Sequence, residues 1–108
     1  MKPQADNYRV VLCTTGSAQQ SAEIGRALVE RRLAACVNVI PTVTSIYRWQ
    51  GQVTEDGESL MIVKTTAERL PELRVAIREL HAYDTPEIIA LPLSEGDPDY
   101  LNWLSESV

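Results

Sequence analysis

A chain of 108 residues with 44% hydrophobic and 23% charged residues has the size of one domain and buries roughly two-thirds of its unfolded surface without disulfide or metal staples. Its net charge of −5 and its lack of any run of Lys or Arg argue against nucleic acid and anionic membranes as partners. The opening MKPQADN has no apolar signal core and no later run is long enough to span a bilayer, so the cytoplasm is the expected compartment. Residues 1–7 read as a flexible N-terminus and residues 8–108 as a single domain.

Tyr8–Thr14 (YRVVLCT) is a continuous apolar strand, a pattern that predicts burial on both faces and a central position. Gly16 turns the chain. Ser17 with Gln20 three residues on forms a capping box for a helix that runs to about Arg32, with Ala18, Ala22, Ile24, Gly25, Leu28 and Val29 on its inner side. Gly25 permits a close approach to the sheet.

From Leu33 to Thr65 two extended segments meet at Gln50-Gly51, a two-residue hairpin turn. The first carries β-favouring residues from Ala35 to Trp49. Its Pro41 suits only an edge strand or a bulge. Alternation places Ser45, Tyr47 and Trp49 on one face, with Ile46 and Arg48 on the other. Glu55-Asp56-Gly57-Glu58 then interrupts the return segment before Leu60–Val63. This reads as a bulge with Gly57 at an unusual backbone angle, or as a second turn. A hairpin this long projects beyond any sheet the domain can build, and its exposed aromatics predict an oligomer.

Pro71 opens a second helix with Leu70, Leu73, Ile77 and Leu80 at helical spacing, ending near His81. After the loop from Ala82 to Pro86, Glu87–Leu91 reads as a fourth strand stopped by Pro92 and Gly96. Asp97-Pro98 caps a closing helix to about Ser105 that is expected to bury Tyr100, Leu101 and Leu104, with Trp103 near its edge. The order β-α-β-β-α-β plus a helix is the split βαβ arrangement of the ferredoxin-like α+β fold. That layout centres strands one and three, puts strand two at an edge, and separates Cys13 from Cys36 by a strand, so no disulfide is expected between them. The apolar edge strand calls for cover by another subunit.

The runs LAACVNVIP, SIYRWQG, ESLMIVKT, LHAYDTPEIIALP and DPDYLNWL, in this order and spanning nearly all the chain from Tyr8, resemble the CutA family of divalent-cation tolerance proteins. The resemblance implies the ferredoxin-like fold, a homotrimer assembled through the long hairpin, a likeness in fold and assembly to the PII signalling proteins, a role in tolerance of copper and other divalent metals, and no agreed catalytic reaction. It also implies Cys13 and His81 as copper-binding positions, with Leu80 standing where some members carry a second histidine. A thiolate with an imidazole suits copper or zinc better than magnesium or calcium. Against this, a buried Cys is commonly core packing, and a histidine at a helix C-terminus is favoured there by the dipole. Trp49, Glu58, Lys64, Tyr83 and Glu87 fall in the family's motif stretches and, with Cys36 on the apolar edge strand, form a candidate intersubunit site. Lys64 is suited to an anion or to an ion pair with Glu58 or Glu87. Tyr47 and Trp49 read as anchors of the trimer interface. The chain is therefore expected to be a cytoplasmic, non-enzymatic, metal-responsive trimer binding copper or a related divalent ion. The alternative is a PII-like regulatory trimer that binds a small metabolite between subunits.

Overall fold

In the computed structural model, which describes residues 4–108, a single 3₁₀ turn at Ala5–Asn7 precedes β1 (Tyr8–Thr15), α1 (Ala18–Glu30), β2 (Cys36–Trp49), β3 (Gln52–Thr66), α2 (Leu70–Leu80), β4 (Ile89–Pro92) and α3 (Pro98–Glu106). The sheet order is β2-β3-β1-β4 with every neighbour antiparallel. This is the ferredoxin-like arrangement, with β1 and β3 central. Of the segment read as a flexible N-terminus, residues 1–3 lie outside the described residues and Ala5–Asn7 form the turn.

Helices α1 and α2 cover one face of the sheet. Ile24, Leu28, Leu73, Ala76 and Ile77 pack there on Val11, Cys13, Met61 and Val63. Ser17 caps α1 by accepting from Gln20 N at 3.1 Å, while the Gln20 amide reaches back to Gly16 N at 3.4 Å rather than to Ser17. Gly25 earns its place: a Cβ there would lie 3.0 Å from Val37 Cγ1. Ala22 and Val29, expected on the inner side, are exposed on the flank of α1 toward β2.

The second face of the sheet is only partly covered. α3 packs at one end, where Leu101 and Leu104 meet Tyr8 and Ala35. β1 is consequently buried at alternate positions and half-buried between them, instead of buried on both sides. Tyr100, expected inside, is 44% exposed and lies 5.5 Å from the ring of Trp103. A nine-residue helix resting on one end of a sheet has room to bury little beyond Leu101 and Leu104.

The hairpin turns at Gln50 (φ 50°) and Gly51 (φ 80°), the two left-handed residues of a tight turn that matches strand twist. The bulge lies at Pro41, which the sequence confined to an edge strand or a bulge, and not at Gly57. β3 is continuous through Gly57, whose φ is not left-handed, and the register slips on β2, where Ile40 pairs Leu60 and Val43 pairs Glu58. Pro41 and Thr42 together oppose Ser59. Proline has no N–H for the ladder, so the extra residue falls where a hydrogen bond is already missing.

Three buried hydroxyls fill the gap. Thr15 Oγ1 and Ser21 Oγ are 2.6 Å apart, Ser21 donates to Ser59 at 2.9 Å, and Ser59 donates to the Ile40 carbonyl at 3.0 Å. All three side chains are fully buried. Beyond this point the hairpin extends a molecule measuring 51 × 26 × 22 Å. The tip leaves Ile46 (67%), Trp49 (61%) and Val53 (70%) exposed. The fourth strand is shorter and later than expected, so Glu87 precedes it in the loop.

Substituting Gly25→Ala should cost about 1–3 kcal/mol, the usual penalty for overpacking, because Val37 sits on a paired strand and cannot withdraw. Urea unfolding of the two proteins checks this. An unchanged midpoint would mean that α1 can lift from β2.

Candidate functional site

Residues directly paired across strands share a face. The register therefore puts Val10, Leu12 and Thr14 of β1, Leu60, Ile62 and Lys64 of β3, Ile89 and Leu91 of β4, and Cys36, Asn38 and Ile40 of β2 on the face away from α1 and α2. Past the bulge the parity of β2 changes, and Val43, Ser45, Tyr47 and Trp49 join Glu58, Asp56, Thr54 and Gln52 on that same face.

Polar chemistry gathers at the open end of β1. His81, the C-cap residue of α2, is 8% exposed. Its Nε2 lies 2.7 Å from the Thr14 carbonyl and its Nδ1 accepts from Tyr83 N at 3.0 Å. A carbonyl can only accept and a backbone N–H can only donate, so these partners fix the tautomer: Nε2 carries the proton and Nδ1 does not. The His81 and Tyr83 rings lie 4.7 Å apart. The Tyr83 hydroxyl donates to Glu58 Oε2 at 3.0 Å, and Tyr47 donates to Asp56. Burial, then the hydrogen bond to Glu58 and the charge of Glu58, push the Tyr83 phenol up to about 12. The Tyr47 phenol is raised too, first by its bond to Asp56.

Cys13 is wholly buried among the core residues, its Sγ directed to the same Thr14 carbonyl at 3.7 Å. Burial, followed by the charges of Glu87 and Glu58, pushes its thiol up to about 12. Cys13 and His81 therefore converge on one carbonyl oxygen, but as they stand they do not fit a divalent ion. The thiol is buried with its pKa raised, Nε2 carries a proton, and the lone pair of Nδ1 is taken by the Tyr83 N–H. Among the described residues no group of three or more His, Cys, Asp or Glu side chains is placed to hold a metal.

The other predicted positions divide into separate places. Glu58 and Tyr83 meet. Cys36 and Lys64 face each other across β2 and β3 at the far end of the sheet, where Cys36 Sγ lies 3.8 Å from Asn38 Oδ1 and Lys64 donates to the same oxygen. Neither Glu58 nor Glu87 pairs with Lys64; the one ion pair among the described residues joins Arg69 and Glu72 at 3.9 Å. Lys64 lies about 20 Å along β3 from Glu58, and Trp49 about as far the other way at the hairpin tip, given some 3.3 Å per residue. Cys13 and Cys36 are both free thiols, separated by β3. Asp56 and Asn38 were not singled out from sequence. Period-two spacing from Glu58 points to the first, whereas the second requires the strand register.

A family model described as CutA1 divalent ion tolerance protein matches residues 9–107. The chain belongs to the CutA family. It is 54% identical over 98 residues to the divalent-cation tolerance protein CutA of Thermus thermophilus, covering 91% of this chain and 95% of that one. A solved structure of the Thermus protein matches with a TM-score of 0.91 at 52% identity, covering 94% of this chain and 98% of that one. Protein CutA of Mus musculus is 47% identical over 93 residues, which is 86% of this chain but 52% of the mouse protein, so the chain spans about half the length of that relative. The structure of a CutA from Archaeoglobus fulgidus, described as a periplasmic divalent cation tolerance protein, matches with a TM-score of 0.90 at 34% identity over 93% of this chain and 97% of that one. Among the described residues no helix is long and apolar enough to cross a membrane.

The raised Tyr83 phenol has a signed consequence for stability. Its contribution is complete below the ordinary tyrosine value of 10.0 and is lost as pH rises through about 12. The stability advantage of the wild type over Tyr83→Phe should therefore be constant to about pH 9 and shrink steadily above it. Denaturant midpoints of the two proteins across alkaline pH check this, and a gap that widens above pH 10 would contradict it.

Proposed function

We propose that this chain is a cytoplasmic homotrimer of divalent-cation tolerance that binds copper or a related divalent ion in the assembled state and catalyses no reaction. The observation that carries the reading is the unpartnered apolar face. Val10, Leu12, Leu60 and Ile62 are half-buried there, beside Ile40 at 37%, Ile89 at 52% and Leu91 at 49% exposure. The hairpin continues that surface with Tyr47 and Trp49, which act as interface anchors. A patch of this extent on a small domain calls for a partner. The two sheet edges differ, a long β2 and a short β4; copies joined through unlike edges meet head to tail, and such contacts make a ring when the rotation between copies closes. Clefts between copies are where Cys36, Trp49, Glu58, Lys64, Tyr83 and Glu87, distant within one chain, can be drawn together.

A specific observation favours a second reading, a PII-like trimer that binds a small anionic metabolite. Among the described residues Lys64 has a neutral amide as its partner and no carboxylate. Its charge is left for an anion.

Native mass spectrometry decides between outcomes. The expected species is a trimer that takes up a defined number of copper ions. Replacing Ile62 by Lys in the middle of the open face should weaken assembly at least tenfold, about 1.4 kcal/mol, while the monomer keeps its circular dichroism. A monomeric wild type would overturn the assembly. A trimer that gains no copper would remove the metal reading and leave the anion reading, whose own requirement is loss of anion binding in Lys64→Ala.

A further inference from the structure

The residues the family resemblance marks as metal ligands make a different arrangement in this chain, and we infer that His81 is a positioning residue: through its fixed tautomer it locks the turn after α2 and sets the Tyr83 hydroxyl against Glu58, while Cys13 is core, so that a divalent ion meets the protein without a thiolate–imidazole ligand pair. Three contacts carry this. Nε2–H is held by the Thr14 carbonyl at 2.7 Å, Nδ1 by the Tyr83 N–H at 3.0 Å, and the Tyr83 phenol by Glu58 at 3.0 Å. The ring is 8% exposed and lies against the Tyr83 ring at 4.7 Å. A metal on Nδ1 would have to displace the backbone N–H of Tyr83. One on Nε2 would have to take the proton and leave the Thr14 carbonyl without its donor in a nearly buried place, a cost met before any bond to metal forms.

The bond from Nδ1 to the N–H two residues on has the geometry of an Asx-turn, in which an Asp or Asn oxygen accepts from the amide two positions later. His81 therefore does with an imidazole what asparagine does with an amide, and has a second nitrogen left to tie the turn to β1. This relation gives the inference a conservative variant. His81→Asn keeps the acceptor for Tyr83 N–H, whereas His81→Ala removes it.

The inference concerns the ligands and stands apart from the proposal that the trimer binds a metal. The test uses the intact protein with ¹⁵N-labelled histidine and zinc as a diamagnetic probe, with zinc uptake followed by calorimetry. The expected spectrum has one protonated and one unprotonated imidazole nitrogen, both unmoved by stoichiometric zinc, and an unmoved Cys13 Cβ resonance. A shift of either His81 nitrogen or of Cys13 on zinc addition would overturn the inference. Should zinc fail to bind at all, the copper reading keeps its own test and the positioning role is decided by the variants. In those, exchange of the Tyr83 amide should quicken about fivefold or more in His81→Ala, the equivalent of one ordinary hydrogen bond, and return toward wild type in His81→Asn. Equal exchange in Ala and Asn variants would reduce His81 to packing and sink the positioning role.

Discussion

Three hydroxyl groups with no access to water, Thr15, Ser21 and Ser59, pass hydrogen bonds from β1 through α1 to β3 and end on the Ile40 carbonyl at the bulge of β2. Each has an apolar environment in which an unmade bond would be costly, so the chain holds only if all its members are in place. What it holds is the one-residue slip at Pro41-Thr42. Side chains alternate strictly along a strand, so a slip of one exchanges the faces of everything beyond it. Before the slip the even-numbered residues of β2 lie on the open face. After it the odd ones do, and Tyr47 and Trp49 arrive beside Asp56 and Glu58. Without the bulge the hairpin aromatics would turn to the opposite side, away from the carboxylates and from the apolar surface they extend.

The same constraint explains how much was legible in the sequence. The hairpin turn at Gln50-Gly51, the Ser17 and Asp97 caps and the tolerance of Gly25 all depend on a few adjacent residues or on helical spacing, and they read correctly. The bulge expected at Gly57 is absent because Glu-Asp-Gly-Glu, for all its turn-like composition, stays in register, while the missing N–H of Pro41, which allowed an edge strand or a bulge, gives both, with a serine opposite it on β3. A cross-strand serine is invisible until register is known. The acidic stretch instead stays in a regular strand: its side chains alternate into solvent on a projecting ribbon, where charge has no burial penalty.

The candidate site was legible in its residues and illegible in its connections. Glu58, Tyr83, His81 and Cys13 do lie around one end of β1, but the group on which His81 and Cys13 converge is a main-chain carbonyl, Thr14, which no side-chain pattern can announce. His81 and Thr14 are 67 positions apart in the chain. The ion pair imagined for Lys64 failed for a related reason. On the open face its diagonal neighbour across the strands is Asn38, two positions from Cys36, and this nearer amide takes the ammonium before a carboxylate about 20 Å away could.

A sheet with helices on one face and an open second face divides the labour of the molecule. The face under α1 and α2 contains the larger core: the packed aliphatics, the hydroxyl chain and the buried thiol of Cys13. The second face, beyond the end that α3 covers, contains aliphatic residues with no helix on them, two tyrosine–carboxylate pairs at one end and a lysine on an amide at the other. Burying a thiol as deeply as Cys13 packs it into the core and by the same desolvation disfavours its thiolate form. A residue cannot serve both ends without a change in its surroundings. The chemistry available to a partner, whether an ion, an anion or a second copy, therefore lies on the face that the single chain leaves unfinished.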